Sequence, residues 1–120
     1  MAKVMVVDDS FSELMVIESM LRHGGFEVLT YTDGEGLEDK VATEKPDVLL
    51  LDIVMPKRNG YEILRGVKRD ERTKHTPVVL VSQKNTPTDE RWGRRQGADD
   101  YVTKPFAESA LMDTVRRLVR

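Results

Sequence analysis

The side chains in this sequence that could support chemistry stand at the ends of short apolar runs. They comprise three carboxylates, one hydroxyl and one ammonium group: Asp8, Asp9, Asp52, Ser82 and Lys104. A single aspartate at such a position is ordinarily a helix cap or a turn residue. Five such groups, all at the ends of apolar runs, indicate one shared site.

Three carboxylates in a small cleft repel one another, and burial raises that cost unless a cation lies among them. Oxygen ligands favour a hard divalent ion, and a shallow site that retains waters favours Mg²⁺ over Ca²⁺, with Mn²⁺ as a substitute. A carboxylate beside such an ion and a lysine can attack phosphorus. The predicted chemistry is formation of an acyl phosphate on Asp52, with Lys104 and the metal neutralising the phosphoryl oxygens.

Five apolar runs predict the strands that position these residues. Val4–Val7, Val48–Leu51 and Val78–Val81 are nearly continuous in Val and Leu, as strands buried on both faces of a parallel sheet are. Phe26–Tyr31 mixes apolar and polar residues and suits an edge strand. Tyr101–Val102 is a very short fifth strand.

Helix-length stretches separate these runs. Their predicted positions are Phe11 to Leu21, Leu37 to Val41, a third helix after Asn59–Gly60, Thr88 to Gln96, and Ala107 to Leu118. Five β-α units predict an α/β, flavodoxin-like, doubly wound fold with a parallel sheet of order 2-1-3-4-5. Strands one and three are then neighbours, and their carboxyl ends bring the polar groups to one edge.

Five motifs carry a resemblance to a known family. They are Val6–Ser10, Leu51–Pro56, Asn59–Gly60, Gly97–Tyr101 and Thr103–Phe106. Together they resemble the receiver domain of bacterial two-component response regulators over the whole chain. The stretch Arg91–Ala98 is similar to the chemotaxis-like, single-domain regulators of type IV pilus twitching and phototaxis systems.

The resemblance implies a role for each site residue. Asp52 would be phosphorylated, Asp9 would bind Mg²⁺ directly, and Asp8 would act on the metal through water. The backbone carbonyl of Val54 would complete the protein's share of the metal ligands. Lys104 would contact the phosphoryl group.

The resemblance also implies a switch. The Ser82 hydroxyl would move to bond the phosphoryl group, and Tyr101 would then turn inward. This would alter the face formed by the fourth helix, fifth strand and fifth helix, where an output protein would dock. The Lys104–Pro105 peptide bond would be cis. Ser82 replaces the commoner threonine, which keeps the hydroxyl but removes a methyl group that limits its rotamers.

These features predict one receiver domain over residues 1–120 with no output domain. It would take a phosphoryl group from a sensor histidine kinase and signal by protein contact in pilus-based motility, as a monomer or weak dimer. Alternatively, it would drain phosphoryl groups from a shared kinase. We expect no enzyme activity beyond its own phosphorylation and dephosphorylation. An aspartyl-phosphate phosphatase needs a second aspartate where Val54 stands. A flavin-binding flavodoxin needs a phosphate loop rich in Ser, Thr and Gly after its first strand, whereas Asp8 and Asp9 there would repel a phosphate that no metal masks.

Composition argues against several other classes of function. The net charge of −2 gives no general reason to bind nucleic acid, and the absence of cysteine excludes disulfides and thiolate chemistry. The longest apolar runs fall far short of the roughly 20 residues that span a bilayer. We therefore expect a cytoplasmic protein without membrane insertion. The cations Lys57 and Arg58 could dock an acidic partner or belong to a solvated loop.

Overall fold

The computed structural model describes residues 1–119. Five strands alternate with five helices along the chain: β1 Lys3–Val7, α1 Phe11–His23, β2 Glu27–Tyr31, α2 Leu37–Glu44, β3 Val48–Leu51, α3 Gly60–Arg69, β4 Val78–Ser82, α4 Pro87–Arg95, β5 Asp100–Thr103 and α5 Glu108–Leu118. No helix in this described part is long and apolar enough to cross a membrane.

The sheet has the predicted order. All neighbouring strands pair in parallel, in the order β2-β1-β3-β4-β5. The fold class is therefore confirmed, and the two strands predicted to be least continuous, β2 and β5, are the edge strands. The strands β1 and β3 are direct neighbours, with Val7 opposite Leu51.

Two apolar layers hold the helices against the sheet, because successive strand residues point to opposite faces. On β1, Met5 and Val7 belong to the layer that packs α2 and α3, whereas Val4 and Val6 belong to the layer that packs α1 and α5. All four are at most 1% exposed. The central strands are thus fixed from both sides, which fixes the position of their carboxyl ends.

Helix caps start three helices just after the strand ends. Ser10 accepts a hydrogen bond from the Glu13 amide at the start of α1, and Asn59 forms a capping box with Glu62 at the start of α3. Thr86 forms a capping box at the start of α4, where a proline follows it. These caps fix the residue at which each helix begins.

The fourth helix is the element that its sequence supports least, because Gly93 lies inside it. The structure has a helix there, and Gly93 is its buried residue. A Cβ atom at this position would lie 2.8 Å from Leu80 Cδ1 and 3.1 Å from Tyr101 Cδ2. The glycine therefore lets α4 approach the sheet closely. The fifth strand is longer than predicted, at four residues.

Candidate functional site

The pairing of β1 with β3 brings two of the aspartates together. The Asp52 amide donates to the Val7 carbonyl oxygen at 3.0 Å. Asp8 and Asp52 are therefore the residues immediately beyond a matched pair of strand ends. Asp9 follows Asp8 at the start of the connection to α1.

The three aspartates form a cluster of oxygen donors. Asp8, Asp9 and Asp52 each offer a carboxylate oxygen, and these oxygens all lie within 4.8 Å of one another. Asp8 is 2% exposed, whereas Asp9 is exposed to solvent. Oxygen-only donors with one open side are the chemistry that Mg²⁺ prefers, because this ion keeps several of its waters. The cluster fits such an ion.

Lys104, which directly follows β5, lies against this cluster. Its Nζ atom is 2.9 Å from Asp8 Oδ2, 3.4 Å from Glu13 Oε2 and 3.5 Å from Asp52 Oδ2. Burial disfavours the ammonium, but the hydrogen bond to Asp8 and the nearby carboxylates outweigh burial and raise the pKa of Lys104. The lysine is therefore a fixed positive charge of the site.

Asp52 lies in a less favourable environment for its charge. Burial and the neighbouring Asp8 raise the pKa of Asp52 to about 6, although Lys104 and the Ile53 amide oppose that rise. Asp52 Oδ1 accepts from the Ile53 amide at 2.8 Å. The pocket thus holds more negative charge than its own lysine compensates, and a further cation would stabilise it.

A cavity of about 370 Å³ opens above these groups. Its lining includes Asp9, Asp52, Val54, Ser82, Lys84 and Lys104. Val54 is 63% exposed, so it stands at the rim rather than in the core. The cavity is wide enough to admit a small anionic group next to Asp52.

Ser82 and Tyr101 meet at the backbone of one residue. The Ser82 hydroxyl, 1% exposed, accepts from the Lys84 amide at 3.2 Å, and the Tyr101 hydroxyl donates to the Lys84 carbonyl oxygen at 2.7 Å. Tyr101 is 6% exposed and packs beside Gly93, and burial raises its pKa to about 12. The aromatic ring thus lies inward in this structure, whereas the resemblance implies that it turns inward only after Ser82 moves.

Two further features complete the geometry of the site. The Lys104–Pro105 peptide bond is cis. Glu13, which the sequence analysis did not single out, supplies one of the carboxylates around Lys104. Its only sequence signal is its place in the first turn of α1, four residues after Asp9.

The two cations considered for docking, Lys57 and Arg58, lie in the loop between β3 and α3 and have different surroundings. Lys57 is exposed and adopts a left-handed backbone with φ of 68°. Arg58 instead forms a paired contact with Glu38, which lowers the pKa of that carboxyl group. Arg58 is therefore bound within the protein rather than free for an acidic partner.

Comparisons with known proteins agree with this geometry. The model of the family described as response regulator receiver domain matches residues 4–116. The chain is 41% identical to protein PilH of Pseudomonas aeruginosa over 119 residues, which cover 99% of this chain and 98% of that protein.

Two solved structures show the same arrangement of the backbone. The Vibrio cholerae chemotaxis protein CheY4 has a TM-score of 0.90 and 32% identity, with 98% of each chain covered. The receiver domain of the Pseudomonas aeruginosa sensor histidine kinase PA1611, solved with a magnesium ion in its active-site cleft, has a TM-score of 0.90 and 25% identity. The match covers 98% of this chain and 97% of that one.

Proposed function

This chain belongs to the response regulator receiver-domain family, and from that membership we propose that Asp52 accepts a phosphoryl group from the phosphohistidine of a sensor histidine kinase. The observation that carries the proposal is the position of Asp52 beside a buried lysine and the acidic pair Asp8 and Asp9. Lys104 Nζ lies 3.5 Å from Asp52 Oδ2, and both residues line a cavity that would admit the phosphoryl group.

The transfer is a displacement at phosphorus. A carboxylate oxygen of Asp52 forms the new O–P bond, the N–P bond of the donor breaks, and the imidazole leaves and takes up a proton from solvent. Lys104 stabilises the negative charge of the transferring oxygens. Because Asp52 already accepts a hydrogen bond on Oδ1 from Ile53, its Oδ2 atom is the one directed toward Lys104 and the incoming group.

The same proposal includes Mg²⁺, with Mn²⁺ as a substitute, held by Asp9, Asp52 and the Val54 backbone carbonyl. Asp8 would act through water, because its two oxygens already accept from the Ser10 amide and from Lys104, both at 2.9 Å. When bound, the ion supplies positive charge to the phosphoryl oxygens. The similar PA1611 receiver domain, in which magnesium is coordinated in the active-site cleft, supports this assignment.

Signalling in this proposal uses the surface formed by α4, β5 and α5. Ser82 lines the cavity beside Asp52, and Ser82 and Tyr101 both form hydrogen bonds with the backbone of Lys84. A movement of the Ser82 side chain would therefore change the contacts of Tyr101. An output protein would dock on that surface, and the domain would work as a monomer or weak dimer.

The proposed setting is pilus-based motility in the cytoplasm. The Arg91–Ala98 segment and the identity with PilH support this pathway. We propose no catalysed reaction beyond the domain's own phosphorylation and dephosphorylation. Loss of the phosphoryl group to water would return Asp52 to its free carboxylate and release inorganic phosphate.

Intact-protein mass spectrometry tests the proposal. Incubation with acetyl phosphate and Mg²⁺ should add one phosphoryl group to the wild-type chain and none to Asp52→Asn. Asp113→Asn, on the outer surface of α5, is the matched control and should behave as the wild type. Equal labelling of the Asp52 variant would overturn the assignment.

A further inference from the structure

A bidentate ion pair ties the loop beside the site to helix α2. Arg58 Nη1 donates to Glu38 Oε1 at 2.8 Å, and Nη2 donates to Glu38 Oε2 at 2.7 Å. Nη1 also donates to the Gly34 carbonyl oxygen at 3.0 Å. The guanidinium group is thus held at three points on a neighbouring segment of the protein. Two parallel bonds of this kind fix orientation as well as distance.

Helix α3 makes room for this ion pair. A Cβ atom at Gly66 would lie 2.0 Å from Glu38 Oε2 and 3.1 Å from Arg58 Nη2. Any larger residue at this position would displace the pair. The side chains of Arg58 and Glu38 are only 29% and 24% exposed, so solvent screens them less than it screens a surface pair.

The loop that Arg58 holds is the one that follows the acceptor aspartate. Arg58 donates from its backbone amide to the Pro56 carbonyl oxygen at 2.8 Å, and the Gly60 amide donates to the Ile53 carbonyl oxygen at 2.8 Å. Between these points stands Lys57, whose left-handed backbone is unfavourable for a residue with a side chain. Such a conformation persists where the surroundings enforce it, and the anchored Arg58 is its immediate neighbour.

We propose that Arg58 and Glu38 are positioning residues for the metal site, because their ion pair holds the β3–α3 loop in the shape that presents the Val54 backbone to the cavity. The inference rests on the metal site of the proposed function. Neither residue touches the cavity; both act through the loop. Outer residues that orient metal ligands commonly change metal affinity on the order of 10-fold when they are replaced.

If the two residues act only through their charges, the two single variants should change Mg²⁺ affinity in opposite directions; if they position the loop, both should lower it. Removal of the Arg58 cation would leave the pocket more negative and strengthen Mg²⁺ binding, whereas removal of the Glu38 anion would weaken it. Loss of the loop anchor would weaken binding in both variants. The direction of the change therefore separates the two explanations.

The experiment is a titration with MgCl₂ followed by backbone amide chemical shifts, on the wild type, Arg58→Met, Glu38→Gln and the double variant. We expect a Kd about 10-fold higher in both single variants, with the double variant no worse than either. Arg58→Lys, which keeps the charge but loses the paired geometry, should lie between the wild type and Arg58→Met. Arg72→Met is the matched control, because Arg72 pairs with the neighbouring Asp39 on α2 but holds no residue of this loop.

Three results would overturn the inference. They are an unchanged Kd in both single variants, opposite changes in the two, or an equal loss in Arg72→Met. In each of these cases the wild type still binds Mg²⁺ and the proposed function stands. A wild type that does not bind Mg²⁺ would overturn the metal site itself, and the inference with it.

Discussion

Lys104 lies closer to Asp8 than to Asp52. Its Nζ atom is 2.9 Å from Asp8 Oδ2 and 3.5 Å from Asp52 Oδ2. The lysine therefore serves mainly as counter-ion to the more buried Asp8, while Asp52 keeps a less satisfied oxygen. This division suits the acceptor role that we propose for Asp52, because its Oδ2 atom is not committed to a strong ion pair.

The Lys104–Asp8 pair makes the lysine a stability element as well. Lys104→Met should destabilise the metal-free protein by about 3 kcal/mol, because it leaves the Asp8 carboxylate buried without its counter-ion. Urea denaturation measures the change. Mg²⁺ should restore part of the loss, since it supplies the missing positive charge.

Lys74→Met serves as the control for that measurement. Lys74 pairs with Glu71 through side chains that are 53% and 83% exposed, so its removal should cost less than about 1 kcal/mol. Equal losses in the two variants would show that Lys104 does not neutralise a buried charge.

Metal binding should stabilise the fold through the aspartates. Millimolar Mg²⁺ should raise the melting temperature of the wild type, because the ion binds the folded state in preference to the unfolded one. Asp9→Ala should reduce that rise, whereas Asp113→Asn should keep it. Differential scanning calorimetry with and without MgCl₂ measures both. An undiminished rise in the Asp9 variant would remove Asp9 from the ligand set.

Tyr101 should titrate later than an ordinary tyrosine. Burial raises its pKa to about 12, against about 10 for a free tyrosine. The folded state thus favours the neutral phenol, so Tyr101 contributes stability below pH 10 that is lost as the pH rises toward 12. Ultraviolet difference absorption of phenolate should show this late component.

Tyr101→Phe identifies the residue responsible for that component. The variant should lose the component near pH 12 and should lose less stability between pH 10 and pH 12 than the wild type. Burial also raises the pKa of Tyr61, so the quantity to measure is the difference in phenolate absorption between the wild type and the variant near pH 12. No difference between the two proteins there would contradict the inward position of Tyr101.

The absence of a side chain at Gly93 should be needed for the inward position of the Tyr101 ring. Replacement of a helical glycine by alanine ordinarily gains about 1 kcal/mol. At Gly93 the new methyl group would press on Leu80 and on the Tyr101 ring, so we expect no such gain and a tyrosine that titrates closer to pH 10. In a Tyr101→Ala background the same change should recover part of the gain, because the contact with the ring is removed while the contact with Leu80 remains. Full stabilisation in the wild-type background would contradict the close packing.

The sequence alone predicts the arrangement of the strands and the aspartates well. Val4–Val7 and Val48–Leu51 are too apolar to have a solvent-facing side, so they must be central strands of a parallel sheet. Once they are neighbours, Asp8 and Asp52 have to meet at their carboxyl ends. The family and the fold are both confirmed on this basis, whereas the role of each site residue stays a prediction.

Side-chain contacts between distant segments do not follow from the sequence in the same way. The pair Arg58–Glu38 joins residues 20 positions apart, and it depends on the space that Gly66 leaves on a third element. The inward ring of Tyr101 likewise depends on a glycine in a helix that its sequence supports poorly. These features follow from packing, and no periodicity or motif predicts them.

Reduction with borohydride tests the central claim most directly. An aspartyl phosphate is an acyl phosphate, and borohydride converts it to homoserine at the same position in the chain. After incubation with acetyl phosphate and Mg²⁺, peptide mapping should find homoserine at position 52 and at no other aspartate. Homoserine at another position, or phosphoryl transfer to the protein without homoserine, would contradict the account.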